Sequence, residues 1–556
     1  MRVLFVLCAL LSPRLEAGPA VRVLPSLVKV RPDRPLPSGA RAEARLTAAR
    51  GECEAFHLVV TDAGGRGTRL REVESRPWRH GDSRLEAKIY REDFITVATP
   101  SSGADTRGEW PDALVPVRDD VAGEKRRAFP VDIAAERHQP VLVELCVPPD
   151  APPGEYRGEV VVRANGWSRR IAGRLEVVPV TVPATSSLPV TFGLSGRNVM
   201  LGHFGEKRSD VVRVALVERY ARLALAYRVS LHTMTRLMPA WRLGDDGSME
   251  VDFSAWDAEL APLMDGERRM SATDLRLADD LPRSAWGDYA KAVRAHFGER
   301  GWDDRLFVYA MDEPREDQRA ELVSRLESLG GGVPRLVTMP FDASLAGLVD
   351  LWAPNLNCFA HKQRTGEFCR GETPRDAYPR DAKVWWYQSC SSHGCGHGRF
   401  GDGRDDYFSG WPSYMVDADG ASARVMGWQA FRHSIEGELY FDTVHAYGRW
   451  ERTHEPRLDP WEDLFAFGGN GDGTLFYPGR PDRIGGHTDV PVASLRLVHI
   501  RDGLEDWELL RQAAVEHRAQ AEAIAAELAP QLFEASHDPA TFERSRARLF
   551  ELLKKQ

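Results

Sequence analysis

Between residues 190 and 441 the chain alternates short apolar runs with longer stretches of helical spacing, a pattern that few architectures satisfy. Strand candidates fall at 190–194, 229–233, around 275–277, 306–312, 335–339, 348–351, 384–387 and 438–441. The stretches between them read as helices. After Asp210, for example, Val212, Leu216, Tyr220, Leu223 and Tyr227 recur at spacings of three and four, the apolar stripe of a helix that the aspartate caps. Eight strands separated by helices predict a (β/α)8 TIM-like barrel, a fold commonly near 250 residues before insertions. The run at 275–277 is weak, so an open α/β sheet is the alternative.

One of these runs ends in acids. Leu306-Phe307-Val308-Tyr309-Ala310-Met311 carries no charge and is followed by Asp312-Glu313-Pro314. Side chains alternate along a strand, so Leu306, Val308, Ala310 and Asp312 share one face, and Phe307, Tyr309 and Met311 the other. The smaller-residue face is expected inside the barrel, which would aim Asp312 into the C-terminal mouth where such barrels do chemistry. Pro314 lacks a ladder donor and is expected to hold Glu313 extended. The structural alternative is that Asp312 caps a helix beginning near Arg315, with Glu313 solvated in its first turn.

The flanks complete the organisation. Arg2 precedes an apolar run at 3–11, followed by Pro13 and small-residue sites near Ala17 and Ala20, which reads as an export signal with a mature chain beginning near residue 18 or 21. That run is too short to span a bilayer as a retained helix. The expected divisions are a signal peptide at 1–20, an N-terminal β-sandwich at 21–185, the barrel at 186–515 and C-terminal helices at 516–556. Evidence for the sandwich is a series of short strands, including a hairpin through Asn165-Gly166 with a type I′ turn, and Pro179, Pro183 and Pro189 mark the linker near residue 186. Beyond the last barrel strand, the glycine cluster 468–473 reads as a structural hairpin turn, and Asp502 with Glu505 as a capping box for a long helix.

In an oxidising compartment the six cysteines of the mature chain, Cys53, Cys146, Cys358, Cys369, Cys390 and Cys395, favour disulfides, with a local Cys390–Cys395 bond, or free thiols there, expected ahead of metal binding. A formal charge of −9 leaves no broad basic field for nucleic acid. Neither a Gly-x-Ser-x-Gly elbow nor a His-Glu-x-x-His helix is present, which argues against serine and metallo-hydrolases.

The ordered set Tyr309-Ala310-Met311-Asp312-Glu313-Pro314, Val384-Trp385-Trp386-Tyr387, Arg424-Val425-Met426-Gly427-Trp428, Gly437-Glu438-Leu439-Tyr440, Gly471-Asp472-Gly473-Thr474-Leu475-Phe476-Tyr477-Pro478-Gly479 and Arg501-Asp502-Gly503-Leu504-Glu505-Asp506 resembles the catalytic region of glycoside hydrolase family 123 over residues 190–515. One departure is Phe441, where the family would place a tryptophan. The resemblance implies a glycan or oligosaccharide substrate with a β-linked N-acetylhexosamine, typically N-acetylgalactosamine, cleaved with retention by substrate assistance. In that scheme Asp312 orients the acetamido group and Glu313 is the acid/base, with no metal or organic cofactor. Tyr387 is the candidate hydroxyl donor to the acetamido oxygen, Trp386 and Asp442 are further candidate sugar contacts, with Asp442 merely ending the eighth strand as its alternative, and Trp428 is expected to pack a helix. Trp385, Trp386 and Tyr387 as plain barrel packing is the competing view. The competing function is a non-catalytic carbohydrate-binding or cell-surface protein on the same fold.

Overall fold

The computed structural model describes residues 20–37, 39–62, 65, 67–233, 238–363, 369, 374–390, 394, 407–448 and 459–555. The expected export segment therefore lies outside the described residues, apart from Ala20.

The strand-rich N-terminal region forms two sheets. One has the order Ala20–Pro25, Cys53–Thr61, His138–Cys146, Ala87–Val97, Gly108–Pro116, and the other Ala44–Arg50, Trp167–Thr181, Gly154–Ala164, Thr68–His80, Ser83–Leu85. A single core joins them, with Phe56, Leu58, Val141 and Val143 from the first and Trp78, Tyr156, Val160 and Leu175 from the second. Trp78 fits because Gly158 and Gly173 make room: a Cβ at either would lie 2.3 or 2.0 Å from its indole. The expected hairpin is present and pairs Ala164 with Trp167. Its turn is not type I′, which needs positive φ at both central residues; Gly166 has φ 77° and Asn165 is not left-handed. Cys53 and Cys146 are register partners on neighbouring strands and are bonded, as are Cys358 and Cys369. Cys390 is disulfide-bonded as well, and its expected partner Cys395 lies outside the described residues.

Eight parallel strands follow, here labelled β1 Val190–Gly193, β2 Ser230–His232, β3 Thr273–Asp274, β4 Leu306–Met311, β5 Arg335–Val337, β6 Leu351–Trp352, β7 Lys383–Tyr387 and β8 Gly437–Tyr440. Their order, β2-β1-β8-β7-β6-β5-β4-β3, is the chain order wrapped into a nearly closed barrel, not the reversed order of an open doubly wound sheet. The seam between β2 and β3 is closed by side chains: Ser271 N–H donates to Ser230 Oγ (2.8 Å), and Thr233 N–H donates to Asp274 Oδ1 (3.0 Å). The third strand lies slightly earlier than expected and is two residues long.

The faces of β4 are the reverse of the expectation. Phe307 fills the barrel interior with Ala272, Leu336, Leu351, Ala353, Trp385 and Leu439, and Tyr309 and Tyr387 pack against them. Leu306, Val308 and Ala310 face the helical layer, in one core with Leu322 and Leu326. The physical reason is that small and branched side chains let the helices approach the outer face, while the interior of an eight-strand barrel has to be filled by large ones. Phe307 and Trp385 do so edge to face, with ring centroids 5.4 Å apart.

Among the helices are α1 Arg319–Leu329, α2 Gly420–Arg432, α3 Leu495–Leu528 and α4 Pro539–Leu553. Helix α3 begins earlier than expected: Ser494 caps it, its hydroxyl accepting from Leu497 N–H. Asp502 and Glu505 therefore lie well inside the helix, buried, and form no capping box. Helices α2 and α3 cross with almost no separation, since a Cβ on Gly427 would sit 1.8 Å from the Gly503 carbonyl oxygen. That approach lets Arg424 Nε and Trp428 Nε1 both reach Asp506 Oδ2, at 2.7 and 2.8 Å. The expected hairpin in the glycine cluster is present, Phe465–Ala466 pairing with Gly469–Asn470. Among the described residues, no helix is long and apolar enough to cross a membrane.

Candidate active site

Strand β4 delivers its acids to the mouth through an irregularity. Tyr309 pairs with Leu336 and Met311 with Val337, so two steps on β4 match one on β5. The extra residue shifts the alternation by one, and Asp312 emerges on the same side as Tyr309 even though the two differ in parity. Tyr309 OH donates to Asp312 Oδ1 at 2.6 Å, and Thr338 Oγ1 donates to the same oxygen at 3.0 Å.

Glu313 is not extended. Its φ is +39°, left-handed at a residue with a Cβ, a conformation that costs about 1–3 kcal/mol and persists only when its surroundings impose it. Thr338 imposes it, accepting the Glu313 N–H at 2.6 Å. One buried threonine thus fixes the backbone of one acid and the side chain of the other. Glu313 Oε1 in turn accepts a short hydrogen bond from Tyr387 OH, which reaches across from β7.

The capping alternative fails on these partners. Asp312 accepts from two hydroxyls, while the turn at Arg315 is closed by Gln318, whose Oε1 accepts the Arg315 N–H at 3.0 Å. Both acid side chains are exposed. Among the described residues neither forms an ion pair, and Asp312 Oδ2 and Glu313 Oε2 have no hydrogen-bond partner. Burial, reinforced by the charges of Asp312 and Glu313, pushes the Tyr309 and Tyr387 phenols well above their usual range, so both stay protonated donors. Each acid therefore has one oxygen held by a hydroxyl and one open to the mouth.

The other expected contacts divide. Tyr387 is at the mouth. Trp386, next to it on the strand, is fully buried on the outer face, its ring 6.0 Å from that of Phe359, and the structure does not bring it to the acids. Asp442 ends β8: its Oδ1 accepts the Thr443 and Val444 N–H groups at 2.7 and 3.0 Å. Phe441 stands on the rim, 37 % exposed, and packs on Phe467 of the glycine-rich hairpin with centroids 5.0 Å apart. Tyr309 and Thr338 were not singled out from sequence. The inward parity of Thr338, two residues past interior Leu336, is the signal that could have found it.

A cavity of about 250 Å³ opens elsewhere, between the β-rich region and α4, lined by Leu24, Leu46, Phe56, Phe542 and Arg546 among others. Its buried guanidinium groups are already paired, Arg546 with Glu52 and Glu54 at 3.0 and 2.9 Å and Arg424 with Asp506 at 2.7 Å, so the acids at the mouth, which form no ion pair among the described residues, are the better place for chemistry.

A family 123 glycoside hydrolase from Clostridium perfringens, studied for glycolipid glycan hydrolysis, superposes with a TM-score of 0.67 at 12 % identity, covering 97 % of this chain and 98 % of that one, a likeness of fold. The secreted serine protease VesC from Vibrio cholerae, at 10 % identity, 29 and 24 % coverage and a TM-score of 0.16, is too dissimilar to carry an argument. No curated protein matches the sequence. The family model described as "Glycoside hydrolase 123, catalytic domain" matches residues 217–513, from within the helix Asp210–Ala226 into α3. Because that match takes in more than half of the sequence, and with it both mouth acids, the chain belongs to glycoside hydrolase family 123.

Proposed function

We propose that this glycoside hydrolase cleaves β-linked N-acetylhexosamine, of the N-acetylgalactosamine type, with retention and substrate assistance, as an exported enzyme. The observation that carries the reading is that Asp312 and Glu313 are adjacent and share Thr338, with one free oxygen each. Two carboxyls flanking a glycosidic bond stand about 5 Å or more apart on opposite sides of it. Neighbours on one strand end suit the case in which the nucleophile belongs to the substrate.

The free oxygen of Asp312 accepts the acetamido N–H and turns the carbonyl oxygen toward the anomeric carbon. As that oxygen bonds to C1, the glycosidic C1–O bond breaks and Glu313 gives its proton to the leaving oxygen. Water then attacks C1, loses a proton to Glu313 and reopens the oxazoline, restoring the original configuration. Tyr387, released from Glu313, donates to the acetamido oxygen in this reading.

The same reading takes the N-terminal sheets as a β-sandwich at 21–185 and the eight strands as a TIM barrel. It also takes the glycans of glycolipids as a natural substrate class, since that is what the Clostridium perfringens relative was studied for.

The test is turnover of chromogenic glycosides with and without a 2-acetamido group, together with a thiazoline mimic of the cyclic intermediate. The acetamido sugars should be cleaved far faster, and the thiazoline should inhibit more strongly than the parent sugar. Equal cleavage of sugars lacking the group would overturn the mechanism. A purified protein that binds these sugars without cleaving any would leave the carbohydrate-binding alternative.

A further inference from the structure

A second polar stretch lies in the ring of interior residues at the mouth. Val190, Phe192 and Leu231 belong to the outer core, so Thr191 on β1 and Ser230 and His232 on β2 face inward. Ala272 is interior, which places Asp274 inside two residues later, on the strand next to β4.

His232 is 5 % exposed. Its Nδ1 meets Thr191 Oγ1 at 3.2 Å, and its Nε2 has no hydrogen-bond partner among the described residues. Burial lowers its basicity, while the charges of Asp274 and Asp442 act in the opposite direction, so both carboxylates lie within its field. Asp274 uses Oδ1 to accept the Thr233 N–H, leaving Oδ2 without a hydrogen-bond partner among the described residues. Thr233 has a φ of 56°. This repeats the arrangement at Glu313: a left-handed residue at a strand end, pinned through its N–H by a side chain from the next strand.

We propose that His232 and Asp274 are substrate-binding residues that grip a ring hydroxyl of the sugar on the side away from the acetamido group and discriminate between epimers there. A carboxylate oxygen accepts from a hydroxyl, and a neutral imidazole nitrogen accepts or donates, so together they fix one hydroxyl orientation. An epimer that withdraws its hydroxyl leaves both groups desolvated and unpaired, a situation that enforces strong selectivity. The inference rests on the hexosaminidase reading of Asp312 and Glu313.

The experiment compares aryl β-glycosides of N-acetylgalactosamine, N-acetylglucosamine and their monodeoxy analogues with the wild type and with Asp274→Ala, Asp274→Asn, His232→Ala and His232→Gln. Each alanine variant should lower kcat/KM on the preferred epimer by about 10- to 100-fold. The disfavoured epimer should change far less, and one deoxy analogue should lose its disadvantage in the variants. A residue that only closes the β2–β3 seam would lower Tm and leave the epimer ratio intact, which would overturn the inference while the hexosaminidase reading stands. Wild-type protein inactive on both acetamido sugars would overturn that reading and the inference together. So would recovery of the Asp274→Ala variant by azide, because it would make Asp274 the nucleophile. If the alanine variants do not fold, the Asn and Gln variants decide by the same epimer ratio.

Discussion

Two acid-rich regions of this molecule hold their carboxylates in opposite ways. Around α3, Glu52, Glu54, Glu144, Asp502, Glu505 and Asp506 are buried with Arg228, Arg424, Arg501 and Arg546 woven among them. At the mouth, Asp312 and Glu313 are exposed and held by hydroxyls alone. Inside the cluster, against burial that pushes the carboxyl up, Arg424 and Arg546 pull Asp506 below its usual range. Among the described residues the mouth acids keep an exposed oxygen without a hydrogen-bond partner; the cluster acids are paired with guanidinium groups, and the oxygens left without a hydrogen bond, Glu52 Oε1 and Asp502 Oδ2, are buried away from any substrate. A hydroxyl fixes the position of a carboxylate without neutralising it, and that leaves its charge and its proton for a substrate.

The sharpest way to break this contrast is at Glu313. Glu313→Gln should lower turnover of substrates with poor leaving groups by about 10²–10⁴-fold, and of activated aryl glycosides much less, with the urea midpoint nearly unchanged. Asp312→Asn should harm both substrate types. A large loss of stability in either would show that the mouth acids are scaffold.

Next in size is the converse test. Arg424→Met leaves Asp506 with a missing partner in a buried site and should reduce unfolding free energy by about 3–5 kcal/mol, read from denaturant titration, with kcat per folded molecule retained. A variant as stable as wild type would make the cluster dispensable.

Thr338→Val sharpens the mouth side. It removes the acceptor of the Glu313 N–H and a donor to Asp312 while keeping volume, so kcat should fall about 10- to 100-fold, Thr338→Ser should restore most of it, and KM should move less.

The last contrast concerns two tyrosine-held acids that are buried. Glu438 accepts from Tyr414 and Asp472 from Tyr440, and burial raises both carboxyls to about 7. A folded-state pKa above the unfolded value contributes stability that is complete at low pH and is lost as pH rises through about 7. Tm should therefore decline from pH 5 to 8, and Glu438→Gln should make that decline shallower. An unchanged slope would mean that Glu438 is ionised in the fold.

Much of this was legible in the chain, for reasons particular residues make plain. The uncharged run 306–311 and the stop at Pro314 identified β4 and its acids, because burial on both faces and the loss of a ladder donor are written in residue types. The irregularity between Tyr309 and Met311 was not, since a bulge depends on the partner strand; it brings Asp312 to the mouth from a strand whose faces, set before the bulge by side-chain size, are the reverse of the expectation. Thr338 and Tyr387 act across strands, where one sequence gives no register. Trp386 and Tyr387 are neighbours on opposite faces, so the aromatic cluster alone could not say which reaches the mouth. Asp502 and Glu505 have the spacing of a capping box, but the same spacing puts two side chains on one face of a helix interior, and only burial separates the cases.

The α3 crossing also bears on how the chain could be taken apart. The proline-rich stretch near residue 186 looks like the natural place to cut, but Glu52, Glu54 and Glu144 lie before it while Arg424, Arg501 and Arg546 lie after it. Expressing the second part alone would remove one or more acidic partners from each of three guanidinium groups, leaving them only Asp502, Glu505 and Asp506, and would expose this buried charge and the apolar surface along α3 and α4. The molecule is divisible in its sequence but not in its electrostatics, and a minimal catalytic fragment should keep the strand beginning at Cys53 and its bonded neighbour ending at Cys146.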